Sequence, residues 1–541
     1  MNIKQPLQVV DLFAGPGGLG EGFSSLKEGS SFQVLVSAEM DPHARATLRL
    51  RAFYRALKEK NPEALNDYYH YCESSNATQP WSDRSHAQWI EADNEARQIR
   101  LGSPDGNAEL DYILEKKLDV TRPWVLIGGP PCQAYSIVGR ARNKGNSDYK
   151  AEDDHRHFLY REYLRIIQSK RPAIFVMENV KGILSSKVGG EQIFPQILRD
   201  LADPDSALGI VGSNKPKYKI YSLVSEDVYE SGADPLSLNL SNFVIKSEDY
   251  GIPQKRHRVI LVGVSDEYAG KFDSFKLVKK SSPSVGQMIE GLPKLRSTLS
   301  RGTDSADLWC VEILSHLDRL YESLAAKGED PLLEKKLKIV RNSFAGARYP
   351  SGALRLNKGE ESVKQFSISE YGKWFTDKDL HVWLNHEARS HMTSDLKRYV
   401  YASVFADAHK VSPKGHKQFD LPGLAPDHKN WESGKFSDRF RVQVKNQTSS
   451  TITSHISKDG HYFIHYDPNQ CRSLTVREAA RLQTFPDNYF FLGNRTQQFH
   501  QVGNAVPPLL ALQIAEIVER MINGDSAQTN SVSVNEFSLE N

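Results

Sequence analysis

The chain has 541 residues, 39% hydrophobic and 10% aromatic, which at about 150 residues per domain is material for roughly three to four core-sized units and excludes a small stapled scaffold. Lys+Arg 69 against Asp+Glu 67 leaves a formal charge of +2, so no global field favours nucleic acid or membrane, and any polyanion site has to be built locally. Four cysteines, Cys72, Cys132, Cys310 and Cys471, stand far apart without a C-x-x-C pair, which argues against a disulfide framework or zinc knuckle and suits a reducing compartment.

Met1 to Asp11 lacks the shape of a secretory signal, and no run of about 18 uncharged apolar residues occurs, so a soluble intracellular protein is expected. Through the first 270 or so residues, short apolar runs alternate with helical patterns, the rhythm of a parallel sheet with crossover helices. Leu7–Phe13 runs into a glycine turn, Val34–Val36 leads to Glu39, Trp124–Ile127 to Gly128-Gly129-Pro130-Pro131-Cys132, and Ala173–Met177 to Glu178-Asn179-Val180. Ligands of open α/β sheets bind beyond the carboxyl ends of the strands, so polar residues delivered there by four strands share one crevice. Residues 52–117, rich in charge and helix formers, read as a helical insertion, and 276–467 as a second, smaller, irregular domain. The helical signatures at Thr475–Leu482 and Leu509–Ile522 return the chain, over 468–523, to the catalytic α/β domain begun by 1–275. The tail 524–541 has too little apolar surface to order itself.

The turn Gly15-Pro16-Gly17-Gly18-Leu19-Gly20 has the G-x-G-x-x-G spacing after a strand, where glycines let the backbone turn sharply and approach a nucleotide-like ligand. Glu39, past the next strand, suits ribose hydroxyls. The motif does not itself separate a nicotinamide dinucleotide from S-adenosylmethionine, although Pro16 leans away from the former. Cys132, behind two prolines at the ligand edge, is a candidate nucleophile as well as a candidate packing residue. Glu178 ends an uncharged run, and burial favours the neutral carboxyl that a proton donor needs. In Gln254-Lys255-Arg256-His257-Arg258, strand alternation puts Arg256 and Arg258 on one face with Gln254, an arrangement suited to a phosphate or a carbonyl oxygen.

These motifs, in order, resemble those of the DNA (cytosine-5) methyltransferases. Asp11–Gly18 is similar to the family's cofactor motif, Pro130-Pro131-Cys132-Gln133 to its nucleophile loop, Glu178-Asn179-Val180 to its acid, and Gln254–Arg258 to its arginine strand. Arg472–Pro486 and Gln501–Pro508 are similar to its last two motifs.

The resemblance implies a Rossmann-like S-adenosylmethionine-dependent methyltransferase domain with an inserted target-recognition domain. It implies Cys132, Glu178, Arg256 and Arg258 as catalytic residues. Phe13, Gly15, Gly17, Gly18, Leu19, Glu39, Pro130, Asn504, Ala505 and Val506 would hold the cofactor, S-adenosylhomocysteine would be its product, and no metal would be needed. The partner is duplex DNA, from which the target base is flipped, with Ser136–Asn146 closing behind it. A monomer in the bacterial cytoplasm is expected, acting beside a cognate restriction endonuclease or alone. The family's adenine-binding Asp has only imperfect candidates, in Leu101–Asp105 and at Asp119. Pro331–Lys358 holds seven basic residues against Glu334, a local excess able to neutralise phosphates. His386–His391 lacks a zinc-protease spacing, and Thr448–Ser454 reads equally as a DNA-facing or an ordinary β segment. An RNA cytosine methyltransferase, a catalytically silent DNA-binding relative and a nicotinamide oxidoreductase are the competing readings; the last leaves Cys132 and the arginine strand unexplained.

Overall fold

A computed structural model describes residues 5–131, 159–188, 190–269, 275–344, 348–359, 371–427, 431 and 439–524. Nine strands of the described residues form one sheet: β1 Leu7–Leu12, β2 Phe32–Glu39, β3 Ala96–Gln98, β4 Trp124–Gly128, β5 Ile174–Val180, β6 Tyr218–Tyr221, β7 Val228–Tyr229, β8 Val244–Lys246 and β9 His257–Ser265. The order is β3-β2-β1-β4-β5-β9-β6-β7, with β8 also paired to β9. The first five are parallel, and β9 runs antiparallel to β5, Ile260 opposite Glu178. Strand order reverses between β1 and β4, which opens a crevice at their carboxyl ends. Because β9 is antiparallel, its beginning, with Arg258, lies at that same end.

Strands buried on both faces read as continuous apolar runs, and alternate residues serve opposite layers. Val10, Leu126 and Met177 pack on one face among Leu110, Tyr163 and Leu198 of the crossover helices. Val9, Val125 and Val176 face the other way, against Leu19 and Phe23 of the helix Gly18–Ser25 and Leu510, Ile514 and Val518 of the helix Pro508–Asn523. Those two helices touch so closely that a Cβ on Gly22 would stand 2.4 Å from that of Ala511.

The helical insertion is narrower than 52–117. The helix Pro42–Lys60 runs straight through residue 52, while β3 and the crossover helix Pro104–Lys117 belong to the sheet itself. β3 escapes the sequence pattern because a three-residue edge strand needs only Ala96 buried. The additional helices are Leu65–Glu73 and His86–Glu95. They bury Tyr68, Tyr69 and Cys72 against Leu380, Val382 and Leu384, which belong to the second domain.

That second domain is also less irregular than its sequence. Helices Ala306–Lys327, Pro331–Phe344 and Thr393–His409 share a core of Trp309, Ile313, Leu317, Leu337, Tyr399 and Val404, joined by Phe419, Trp431 and Phe440. A hairpin, Gly352–Asn357 with Val382–Glu387, lies beside them. A second core joins Met288, Phe375 and Trp383 to Val476, Ala480 and Leu482 of the helix Val476–Leu482, so the two halves meet across a packed seam.

Candidate active site

The glycine turn starts at Phe13, itself in the left-handed region at φ 57°, followed by Gly15 at 58° and Gly17 at 92°. Only glycine takes such angles without cost, and Gly17 is also crowded: a Cβ there would lie 2.6 Å from Leu48 Cδ2. A Cβ on Gly18 would lie 2.1 Å from the carbonyl oxygen of Val506, so the last motif rests directly on the turn. The Tyr489 hydroxyl donates to the Pro16 carbonyl and pins the turn from the third side.

Glu39, at the carboxyl end of β2, accepts the Gly15 amide on Oε2 and the Asp41 amide on Oε1, both at 2.8 Å. It ties the turn to the start of the helix Pro42–Lys60, which Asp41 caps by accepting from His43 and Ala44. Burial pushes the Glu39 pKa up against the pull of those hydrogen bonds. Each carboxylate oxygen keeps a second lone pair, so a diol can still be received.

Glu178 lies near the carboxyl end of β5 with its carboxylate mostly covered, and Arg258 Nε stands 2.9 Å from its Oε1. A Cβ on Gly129 would come within 3.2 Å of Glu178 Oε2, and the Asn179 amide donates to the Pro130 carbonyl at 3.2 Å. The backbone leading to Cys132 is thereby laid against the acid. Burial lowers the Arg258 pKa, and Glu178 opposes that. Cys132 and Ser136–Asn146 lie outside the described residues.

Arg256 does not share the Arg258 environment. It is wholly buried, and its Nη1 donates to the carbonyls of Ile452, at 2.9 Å, and Gly503, at 3.3 Å. Burial and then the like charge of Arg258 drive its pKa far down. Alternation gave both arginines the same face but could not give their depth.

Other expectations change. Asp119 is unsuited to the adenine contact, because its carbonyl accepts from Gln8 at the amino end of β1, across the sheet from the crevice. Leu101–Asp105 follows β3 at the correct end, where the Ile99 amide donates to the Glu39 carbonyl. In the basic segment, Lys336 pairs with Asp407, Arg341 with Asp318 and Arg348 with Asp307. Arg355 donates to the carbonyls of Cys72 and Tyr71, and Lys358 to that of Leu380. Lys335 and Lys338 are exposed, and so are Arg341 and Arg348 within their ion pairs. His386 is buried between the Thr475 hydroxyl and the Pro293 carbonyl, and His391 is buried too, facing Ser473. Within Thr448–Ser454, Ser449-Ser450 pairs as a strand with Gln254-Lys255. Cys72, Cys310 and Cys471 are buried, and burial pushes the Cys72 thiol up to about 12.

Sequence reasoning placed Asp11 in the cofactor motif but gave its side chain no role, and that side chain is fully buried beneath the turn. Burial, then Glu39 and Glu95, push its pKa well above the carboxylate range. An acid inside an otherwise apolar strand was the available signal. Tyr489, distant in sequence, gave none.

A sheet with its order reversal beside a glycine turn, an acid and arginine paired near the strand ends, and a last motif folded back on the turn define a Rossmann-like ligand crevice. The model of the C-5 cytosine-specific DNA methylases matches residues 105–205 and 237–520, and the chain belongs to this family: it is a DNA (cytosine-5-)-methyltransferase with a Rossmann-like, S-adenosylmethionine-dependent fold. It is 32% identical to the type II methyltransferase M.Bpa9945I of Bacillus paralicheniformis, over 95% of this chain and 99% of that protein. It is 26% identical to the type II methyltransferase M.AgeI of Thalassovita gelatinovora, over 96% and 100%. It is also 27% identical to the DNA (cytosine-5-)-methyltransferase M.ApeKI of Aeropyrum pernix, over 77% and 84%. Among solved structures, a prophage-encoded protein of E. coli described as a DNA modification methyltransferase superposes with a TM-score of 0.50 at 19% identity, covering 96% of this chain and 99% of that one, a likeness of fold.

Proposed function

We propose that the crevice methylates C5 of a cytosine flipped out of a specific duplex DNA sequence, with Cys132 as nucleophile and Glu178 as the acid at N3. The pairing of Glu178 with Arg258 beside Gly129 carries the reading, because it sets a carboxyl group and a cation next to the backbone that delivers the cysteine. S-adenosylmethionine supplies the electrophilic methyl group when bound, and the features of the crevice suit it. Gly15 leaves free space where a side chain would stand, Glu39 retains lone pairs for a ribose, and the backbone is stripped to glycine where a ligand must come close. Phe13, Gly15, Gly17, Gly18, Leu19, Glu39, Pro130, Asn504, Ala505 and Val506 would hold it.

Cytosine C5 is a poor nucleophile, and covalent addition divides the difficult step into easier ones. The Cys132 thiolate forms a bond to C6 while Glu178 gives N3 a proton or a hydrogen bond, and the displaced ring electrons make C5 an enamine carbon. Arg258 keeps Glu178 oriented and faces the O2 side of the base. Arg256, being buried, supports from behind. After transfer, loss of the C5 proton re-forms the C5–C6 double bond and expels the thiolate. Given the names of its relatives, the chain serves as the modification partner of a type II endonuclease or as a solitary bacterial enzyme.

The test incubates the protein with labelled S-adenosylmethionine and duplex DNA or RNA and maps methylated cytosines at base resolution. Label in DNA at one sequence, lost in Cys132→Ser, is expected. Label that survives Cys132→Ser overturns the nucleophile, and label confined to RNA overturns the substrate.

A further inference from the structure

The last motif is held against the cofactor turn from outside the crevice by two glutamines that no part of the proposed chemistry uses. Gln254 and Gln483 are both completely buried. The Ile452 amide donates to Gln254 Oε1 at 2.9 Å, Gln254 Nε2 donates to Gln483 Oε1 at 2.6 Å, and Gln483 Nε2 donates to the carbonyls of Val502 at 2.6 Å and Ala505 at 3.4 Å. Gln254 Nε2 also reaches the Leu482 carbonyl at 3.0 Å. Every donor in this chain points the same way, from the recognition domain towards the cofactor side, so both amide orientations are fixed by their partners.

The receiving end explains why a donor is needed there. The helix Arg495–Asn504 finishes with carbonyls short of partners, that of Val502 taking only a long 3.4 Å bond from the Ala505 amide. Gln483 satisfies that of Val502, and Arg256 that of Gly503, placing a cation where the helix dipole is negative. Beyond this end the chain turns through Ala505 to Val506, whose carbonyl lies on Gly18. Gly503 is itself wedged against the recognition segment, since a Cβ there would stand 2.2 Å from the Ser454 amide nitrogen.

We infer that Gln483, acting with Gln254 and Arg256, is a positioning residue for the cofactor half of the crevice: it fixes where Ala505 and Val506 stand on Gly18 through hydrogen bonds anchored in the recognition domain at Ile452. The inference rests on the cofactor assignment proposed above.

Gln483→Glu separates positioning from packing. It keeps the shape and still accepts from Gln254, but it offers no donor to Val502 and Ala505 and sets a negative charge at the helix terminus. Gln483→Met keeps the volume and removes both roles. Calorimetric titration with S-adenosylhomocysteine, in full-length protein without DNA, is expected to show affinity reduced at least about tenfold in Gln483→Glu, the scale of a lost buried hydrogen bond. Gln483→Met falls between it and the unmodified chain, and Gln254→Met, acting from the far end, shifts affinity the same way. In methyl-transfer assays the KM for S-adenosylmethionine rises in the same order, with kcat changing less. Unaltered S-adenosylhomocysteine affinity in a cooperatively melting Gln483→Glu or Gln254→Met protein overturns the inference alone. Absence of binding by the unmodified chain overturns the cofactor assignment and this inference with it.

Discussion

Gly18→Ala tests whether the last motif sets the floor of the cofactor turn. Gly18 opens a helix at an ordinary φ, so alanine brings no backbone strain there and a small gain in helix propensity. The added Cβ falls 2.1 Å from the Val506 carbonyl oxygen, about 1.3 Å short of the 3.4 Å of ordinary contact. Its other near neighbours are the backbone carbon and nitrogen of Val506, at 3.1 and 3.2 Å, so no side chain can swing aside. The start of the helix Pro508–Asn523 must retreat, at an overpacking cost of about 1–3 kcal/mol, and a displacement on the order of 1 Å beside reacting groups costs up to about a hundredfold in rate. Gly22→Ala drives the same helix away lower down, with its Cβ 2.4 Å from Ala511 Cβ, and so controls for a general loss of packing. Melting temperature and S-adenosylhomocysteine affinity are measured for both. Both variants should melt earlier, but only Gly18→Ala should lose affinity out of proportion to its stability. Equal affinity losses in the two, or none in Gly18→Ala, refute the reasoning.

Glu478→Gln leaves the buried Arg472 guanidinium without the carboxylate that now takes two hydrogen bonds of 2.7 Å from it, and should cost about 3–5 kcal/mol, read as a lower melting temperature. His386 is held down to about 4 by burial, so the folded protein keeps it neutral while an unfolded chain protonates it near its ordinary value of about 6.5. Its contribution is therefore complete above about pH 6.5 and is lost as pH falls towards about 4, at up to about 1.4 kcal/mol per unit; His386→Gln should make denaturant stability less steep in that window. Arg355→Ala uncaps the helix Leu65–Glu73, whose Tyr71 and Cys72 carbonyls it satisfies, and frees the hairpin of Gly352–Asn357 and Val382–Glu387, which we propose helps to read DNA. DNA affinity by fluorescence anisotropy should fall, with S-adenosylhomocysteine binding intact.

What the sequence disclosed follows from burial. Strands β1, β4 and β5 are covered on both faces and so appear as largely apolar runs, and the glycine turn after β1, Pro130 after β4 and Glu178 near the end of β5 stand out at one sheet edge. β3 is a three-residue edge strand with no run to betray it. The helix Ala306–Lys327 does carry helical spacing, at Trp309, Ile313, Leu317, Leu320 and Leu324, but histidine, cysteine and charged residues between these positions conceal it. Depth is what period-two reasoning lacks. It aligned Arg256 with Arg258, yet one is sealed among carbonyls and the other meets an acid at the crevice. The glutamine chain was equally illegible, since it joins positions 254, 452, 483 and 502.

Buried guanidinium groups change the meaning of the charge balance. Arg256, Arg472, Arg477 and Arg481 are all essentially inaccessible. Arg477 spends its donors on the carbonyls of Leu384, Pro486 and Tyr489, and Arg481 forms a two-pronged pair with Asp487. Each joins segments far apart in sequence, because a planar fork of five donors can satisfy several carbonyls at once, which a lysine cannot. Such cations cannot neutralise phosphate. Five of the seven basic residues in Pro331–Lys358 also have carboxylate or carbonyl partners, although Arg341 and Arg348 hold theirs in exposed ion pairs for which a phosphate can compete. The formal charge of +2 thus mixes structural arginines with solvent-facing ions, and neither the total nor a local count of Lys and Arg measures the charge available to DNA. In this fold the buried arginines serve as mortar between segments distant in the chain, at Ile452, Leu295, Leu384 and Met288, and that use requires burial, which phosphate contact forbids.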